Sequence, residues 1–333
     1  MKKILFILLA VCILVGCQRK KDDGVIRIGA AIALTGYGAD FGESERNAIL
    51  MLRELYAQDN VEIYIEDTSS DVKAGINAIK KLIDLYDVDV IYCELSSIIH
   101  AANKFIEDNN KILIAPVYLE TLLENPRAYR NLPSADQENK CLIQYMIDHS
   151  INCDRIIILC SNDIFGQTCK DSFSKLMADK IIETIIIQDG ALKDISTKAV
   201  SLNADVIYIG SMSDNVGLLV RNLRQMGFQG EILTTDAYSY DYINEKAGLL
   251  GKDVIYIDFP KTQSYEQFKQ DYEKLFKKEC IPSAMLCYDG ISAIVSALKS
   301  GNNLDEIFFY SGIIDTLIID QQEIIYPIEA KRW

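Results

Sequence analysis

"VIRIGAAIALTGYGADFGESERNAILMLRELYA", residues 25–57, joins a run with strand character to a run with helix character. The first ten residues are short, apolar and β-branched. From Ser44 onward the apolar positions recur at helical spacing. Between them lie Gly36, Gly38 and Gly42, where a glycine fingerprint would let a backbone approach a pyrophosphate at a helix N-terminus. The spacing here is G-x-G-x-x-x-G rather than G-x-G-x-x-G, so the loop is a poor match to a dinucleotide site. A strand, a tight glycine turn and a helix nevertheless make the first unit of a parallel α/β sheet.

The same unit recurs along the chain. "VEIYIED", "VDVIYCE" and "KILIAPV" are further short apolar runs, and in "SDVKAGINAIKKLIDLYD" Val72, Ile76, Ile79, Ile83 and Tyr86 form one helical face with Asp71 as N-cap. Strands alternating with helices imply a sheet covered on both faces and reached by right-handed crossovers. A second series follows the polar boundary "YRNLPSADQENK": "DRIIILC", a helix from about Phe165, "KIIETIIIQ", "ADVIYIG", the helix "DNVGLLVRNLRQMG" closed by Gly227, and "GEILTTD". "KDVIYIDFP" then leads into two more helices, the second closed by Gly301. "TLIIDQQEIIYPI" reads as two strands turning at Gln321 and Gln322. The two halves share an architecture without a recognisable sequence repeat.

Upstream, Lys2 and Lys3 precede the apolar "ILFILLAVCILVG", too short and wrongly flanked for a membrane span, and "LVGC" ends it at Cys17. This resembles a bacterial lipoprotein signal, with residues 1–16 removed, Cys17 lipidated and residues 17–24 a tether; an uncleaved anchor is the alternative. Either places the domain outside the cytoplasmic membrane and holds it there. At about 0.8 kcal/mol per buried methylene, several acyl chains would make the attachment almost permanent. Nucleotide cofactors are scarce in that compartment.

The rest of the 333 residues suffices for two domains, and the formal charge of −14 repels phosphate backbones. With no basic patch or aromatic RNA motif, nucleic acid is not an expected partner. Apart from Cys12 and Cys17 there remain Cys93, Cys141, Cys153, Cys160, Cys169, Cys280 and Cys287, an odd set lying largely in apolar runs. Buried thiols are the expectation, with a Cys160–Cys169 disulfide as an alternative. The two histidines, His100 and His149, show no metal or triad spacing, and no H-E-x-x-H, C-x-x-C or G-x-S-x-G occurs. No catalytic residue, metal or cofactor is expected, although scattered carboxylates leave an exported enzyme as a rival.

Taken together, "IRIGAAIALTGYGADFGESERNAI", "IEDTSSDVKAGINAIKKLI", "CSNDIFGQTCKDSF", "VRNLRQMGFQGEILTTDA" and "TLIIDQQEIIYPI" resemble, in order, an extracytoplasmic solute-binding protein of an ABC importer. The family is the type I periplasmic binding proteins that include leucine/isoleucine/valine receptors. The resemblance implies an α/β fold of two Rossmann-like lobes with parallel central sheets, joined by three crossover segments near 131–136, 258–262 and 309–313. The lobes would comprise residues 25–133 with 260–311 and residues 134–259 with 312–333. Binding of a small solute between them would close the lobes about the crossovers, and a permease would read the closed form. A sensor of the same fold signalling to a membrane partner remains an open alternative.

The resemblance also implies site residues. Ser96 and Ser97 fall where similar binders hold a ligand carboxylate, or one of them caps a helix. After the next strand, Val117, Tyr118 and Leu119 stand where a second hydroxyl is usual, which puts an ordinary aliphatic amino acid in doubt. Phe41 and Phe165 match aromatic walls, with core packing as the rival reading. Asp236 matches an ammonium partner, Met212 replaces a usual tyrosine, and Tyr238 offers a nearby hydroxyl. Glu94 adds negative charge beside the serines, favouring a cationic ligand or forming a rim salt bridge.

Overall fold

The computed structural model describes residues 23–333; the expected signal segment and Cys17 lie outside the described residues. Strand β1 (Ile26–Ile32) pairs in parallel with β2 (Val61–Asp67) on one side and β3 (Val90–Cys93) on the other. β4 (Ile112–Ala115) and β5 (Ala128–Arg130) extend the same parallel array. β3 and β4 are buried at every residue, which is why they read as unbroken apolar runs.

Helix α1 (Ala39–Leu55) follows β1, α2 (Val72–Asp84) follows β2 and α3 (Ser96–Asp108) follows β3. The Asp71 carboxylate accepts from the Ala74 amide at the start of α2, as expected of an N-cap. The opening glycines have steric reasons to be there. Gly36 has φ +91°, and a Cβ on Gly42 would stand 2.0 Å from the Ala33 carbonyl oxygen. Gly42 thus lets α1 lie directly on the backbone that leaves β1.

The second sheet repeats the plan. β6 (Ile156–Cys160), β7 (Ile181–Ile186), β8 (Val206–Gly210), β9 (Glu231–Thr234) and β10 (Val254–Asp258) are parallel, in the order β10-β9-β8-β6-β7. Helices α4 (Ala135–Asp148), α5 (Ile164–Met177), α6 (Leu192–Ser201) and α7 (Asn215–Gln225) serve this lobe, with the short α8 (Asp241–Asn244) after β9. The chain then returns, and α9 (Gln263–Phe276) and α10 (Pro282–Lys299) pack on α1 of the first lobe. Asn47 of α1 donates to the Tyr272 hydroxyl of α9 at 3.1 Å.

The carboxyl-terminal division differs from the sequence expectation. β11 (Phe308–Ser311), β12 (Thr316–Asp320) and β13 (Glu323–Ile325) complete the first sheet, in the order β11-β12-β13-β5-β4-β3-β1-β2. Only β14 (Glu329–Arg332) joins the second sheet, antiparallel to β10. Residues 309–313 are therefore no crossover, and the third passage between lobes falls at 326–328. The cause is an anchor: the buried Asp289 carboxylate on α10 accepts the amides of Ile313 and Ile314, at 2.8 Å for the Ile313 bond to Oδ1, holding the chain on the first lobe. Gln321 and Gln322, at φ 47° and 66°, then turn β12 into β13. The other passages leave β5 near Asn131 and β10 near Phe259. Tyr326 ties the three together, donating to Asn131 Oδ1 at 2.6 Å and packing edge-on against Phe259.

Candidate functional site: a cleft between the lobes

The carboxyl ends of the two parallel arrays face each other, and the loops leaving them enclose a cavity of about 210 Å³. From the first lobe, Phe41 and Glu45, one turn apart on α1, enter beside Glu94, Leu95 and Ser96 at the end of β3. Pro116, Val117 and Tyr118 follow β4, Leu132 follows β5, and Ser283 and Leu286 project from the start of α10. Phe165 at the start of α5, Met212 after β8 and Tyr240 beyond β9 come from the second lobe. Two edge-to-face aromatic pairs bridge the lobes: Phe41 with Tyr240, ring centres 6.1 Å apart, and Tyr118 with Phe165, 4.5 Å apart.

Carboxylates surround this largely apolar box. Glu45 is 1% exposed; one oxygen accepts from the Tyr92 hydroxyl at 2.9 Å and the other has no hydrogen-bond partner. Glu94 accepts the Ala33 amide at 2.6 Å and likewise leaves one oxygen unpartnered. In the second lobe Glu138, also 1% exposed, accepts the Tyr118 hydroxyl at 2.5 Å with its other oxygen unpartnered. Asp236 is 2% exposed and neither oxygen has a well-formed hydrogen bond; the Tyr118 hydroxyl donates to Glu138, and that hydroxyl and the Ala237 amide offset the burial of Asp236 only in part. Lysine and arginine are absent from the residues lining the cavity. Asp258, by contrast, is ion-paired with Lys261 at 3.0 Å and Lys331 at 3.5 Å.

Burial and mutual repulsion hold these acids toward their protonated forms. Desolvation pushes Glu94 up to about 7 and Asp236 up to about 7, the latter with help from the Asp258 charge. Glu45 is raised by burial and then by Glu94, and Glu138 by burial and then by Asp236. In each lobe the charge of one acid thus raises the proton affinity of the other. Among the described residues no cluster of three or more His, Cys, Asp or Glu has metal-binding geometry. The arrangement can hold a cation against aromatic walls.

Of the residues singled out from the sequence, Phe41, Ser96, Tyr118, Phe165 and Met212 meet at this cavity, and Asp236 lies immediately behind Tyr118. Ser97 is exposed on α3, and neither serine caps that helix, since Leu95 occupies the N-cap. Tyr238 is turned away: its hydroxyl donates to the Gly251 carbonyl at 3.2 Å and its ring packs on Tyr256 and Trp333. Val117 lines the cavity where a hydroxyl is usual. Sequence reasoning missed Glu45, Glu138 and Tyr240, and it gave Glu94 only a peripheral place. The seven cysteines of the described residues are free, including Cys160 and Cys169.

Two facing α/β lobes with a solute-sized cleft at the carboxyl ends of their strands define a binding protein of the periplasmic type. The periplasmic binding protein family model matches residues 25–307, and the chain belongs to that family. It is similar to the Leu/Ile/Val-binding protein homolog 1 of Brucella abortus (strain 2308), with 24% identity over 328 residues, 92% of this chain and 86% of that protein. Its fold is similar to that of a leucine-binding protein from Thermotoga maritima MSB8, at TM-score 0.76 and 18% identity, covering 93% of this chain and 98% of the other. A Rhodopseudomonas palustris BisB5 ABC-transporter solute-binding protein in complex with 3,4-dihydroxy benzoic acid superposes at TM-score 0.80 and 16% identity, covering 93% of each chain. The fold is the type I periplasmic binding fold, a receptor rather than an enzyme architecture. Members bind small-molecule ligands, work with ABC transporters and reside outside the cytoplasm.

Proposed function

We propose that this protein is a membrane-tethered receptor that captures a small amine-bearing solute in the cleft and delivers it to the permease of an ABC importer. Lipid on Cys17 supplies the tether in this reading. The fold hosts ligands of unlike chemistry, since one neighbour is a leucine-binding protein and another holds a dihydroxybenzoic acid. The lining residues of this chain therefore decide the class. One observation carries the choice: Glu45 and Glu94, each with an unpartnered oxygen, line a cavity that no lysine or arginine lines. An unpaired buried charge is costly, and a ligand ammonium offsets that cost only when bound.

The roles assigned are aromatic walls for Phe41, Tyr118, Phe165 and Tyr240, an apolar floor for Met212, and charge pairing for Asp236 acting through Tyr118. A thermal-unfolding screen of amines, amino acids, amides, carboxylates and sugars tests this. A solute at a hundred times its dissociation constant adds about 2.7 kcal/mol to stability, a readable shift in midpoint. Stabilisation by amines, lost in Asp236→Ala without loss of fold, is expected. Stabilisation by carboxylates or sugars alone would reject the amine, and metabolic labelling with palmitate that survives Cys17→Ala would reject the tether.

A further inference from the structure

We infer that the ligand is a compact linear dication without a carboxylate, one ammonium held by Glu45 and Glu94 of the first lobe and the other by Glu138 and Asp236 of the second together with the Tyr118 hydroxyl, which reaches Glu138 from the first. This rests on the cleft being the ligand site. The distribution of charge argues for two ends rather than one. The acidic groups do not converge on a point: one pair flanks α1 and β3, the other is built from α4 and the β9 loop, and the aromatic box stands between them. Glu45 and Glu94 line the cavity itself, whereas Glu138 stands behind Tyr118, a lining residue whose hydroxyl donates to it.

Glu45, Glu94 and Glu138 each keep one unpartnered oxygen and Asp236 keeps two, so each lobe holds acceptor atoms that an ammonium would satisfy. A single ammonium satisfies one lobe and leaves the acceptors of the other buried and unpartnered. A zwitterionic α-amino acid does worse, because Glu94 lies beside Ser96, where a ligand carboxylate would sit, and Val117 offers no hydroxyl. The middle of the cavity is apolar or aromatic: Leu132, Met212, Leu286, Phe41 and Phe165 suit methylene groups, and the rings also favour cations at their faces. At ~30 Å³ per water-sized group, 210 Å³ accommodates about seven such groups. A chain of about four or five methylenes with an amine at each end has that size.

Isothermal titration calorimetry at pH 8 with α,ω-diaminoalkanes of three to six carbons, n-butylamine, leucine and butyramide tests the inference on the unaltered protein. The expected result is a diamine bound at least tenfold more tightly than n-butylamine or leucine, with an optimum in chain length. Glu94→Gln and Asp236→Asn should each weaken the best diamine at least tenfold while reducing its advantage over n-butylamine. No measurable diamine binding, equal affinity for n-butylamine, or tighter binding of leucine or butyramide would overturn the dication. Phe165→Ala separates that failure from failure of the cleft: if leucine or butyramide binds and Phe165→Ala abolishes it, the cleft stands without a dication, whereas any binding untouched by Phe165→Ala removes the cleft itself.

Discussion

Raising the pH should destabilise the ligand-free protein across a range where most proteins are near their best. Burial pushes Glu94 from an ordinary 4.5 up to about 7, so between those values the native state holds a proton that the unfolded chain has released. Stability changes with pH in proportion to protons bound by the unfolded state minus those bound by the native state. For Glu94 that difference is negative. Its contribution is fully present below about pH 4.5 and is lost as pH rises through about 7. At roughly 1.36 kcal/mol for each unit of difference, the loss from this group approaches about 3 kcal/mol, and Asp236 and Asp289, both near 7, act in the same direction. Asp136, held low first by the Ser172 hydroxyl, titrates in more acid solution and does not offset this. Urea unfolding at pH 5, 6, 7 and 8 and fixed ionic strength measures it. Glu94→Gln keeps an oxygen for the Ala33 amide, so it should match the wild type at pH 4.5 and exceed it by about 3 kcal/mol at pH 8. A wild-type stability that is flat or rising from pH 5 to 8, or a variant less stable than wild type at pH 8, would refute the reasoning.

Gly42→Ala should lower the unfolding midpoint through a clash of about 1–3 kcal/mol, because the atom met at 2.0 Å is the Ala33 backbone oxygen and cannot swing away; an unchanged midpoint would contradict this. Tyr118→Phe deprives Glu138 of its donor and should cost about 1–3 kcal/mol near pH 8. It should also weaken amine binding, and calorimetry showing full affinity would remove Tyr118 from the site. Thiol titration after denaturation without reductant should count seven reactive groups among the described residues, whereas in the native protein Cys93, Cys169 and Cys287 should react slowly, since burial raises each well above a free thiol. A melting point that falls on adding reductant would reveal a disulfide instead.

Strands buried on both faces announce themselves as unbroken apolar runs, and Asp71 and the Gln321–Gln322 turn are local signals, so these elements were legible. The third passage was not. Nothing near Gly312 says that Asp289, on α10, will capture the next two amides. The site divided along the same line. Phe41, Ser96, Tyr118, Phe165 and Met212 lie just beyond strands, at positions that the family resemblance implied. Tyr238 was expected at the site and is turned away, because the tight turn Asp236–Ser239, with Thr235 at its cap, redirects the chain within a few residues. Glu45 was readable in principle: Ala48, Ile49 and Leu52 lie three, four and seven positions on, which puts a carboxylate on the buried face of its helix. Glu138 has the same relation to Cys141, Leu142 and Tyr145. Which charges meet depends on how lobes face one another, and periodicity within one helix carries no such information.

The interleaving of the lobes along the chain has a consequence for the order of assembly. Residues 25–133 cannot complete the first lobe alone, because α1 packs on helices beyond residue 262, as in the Asn47–Tyr272 bond between residues 225 positions apart. The second sheet waits longer still, for β14 to cover β10. As the polypeptide emerges, its early strands therefore stay without their covering partners until residues past 316 arrive, and closing such distant contacts is slow. A chain wired this way keeps strand edges open to mispairing until its last segments join them.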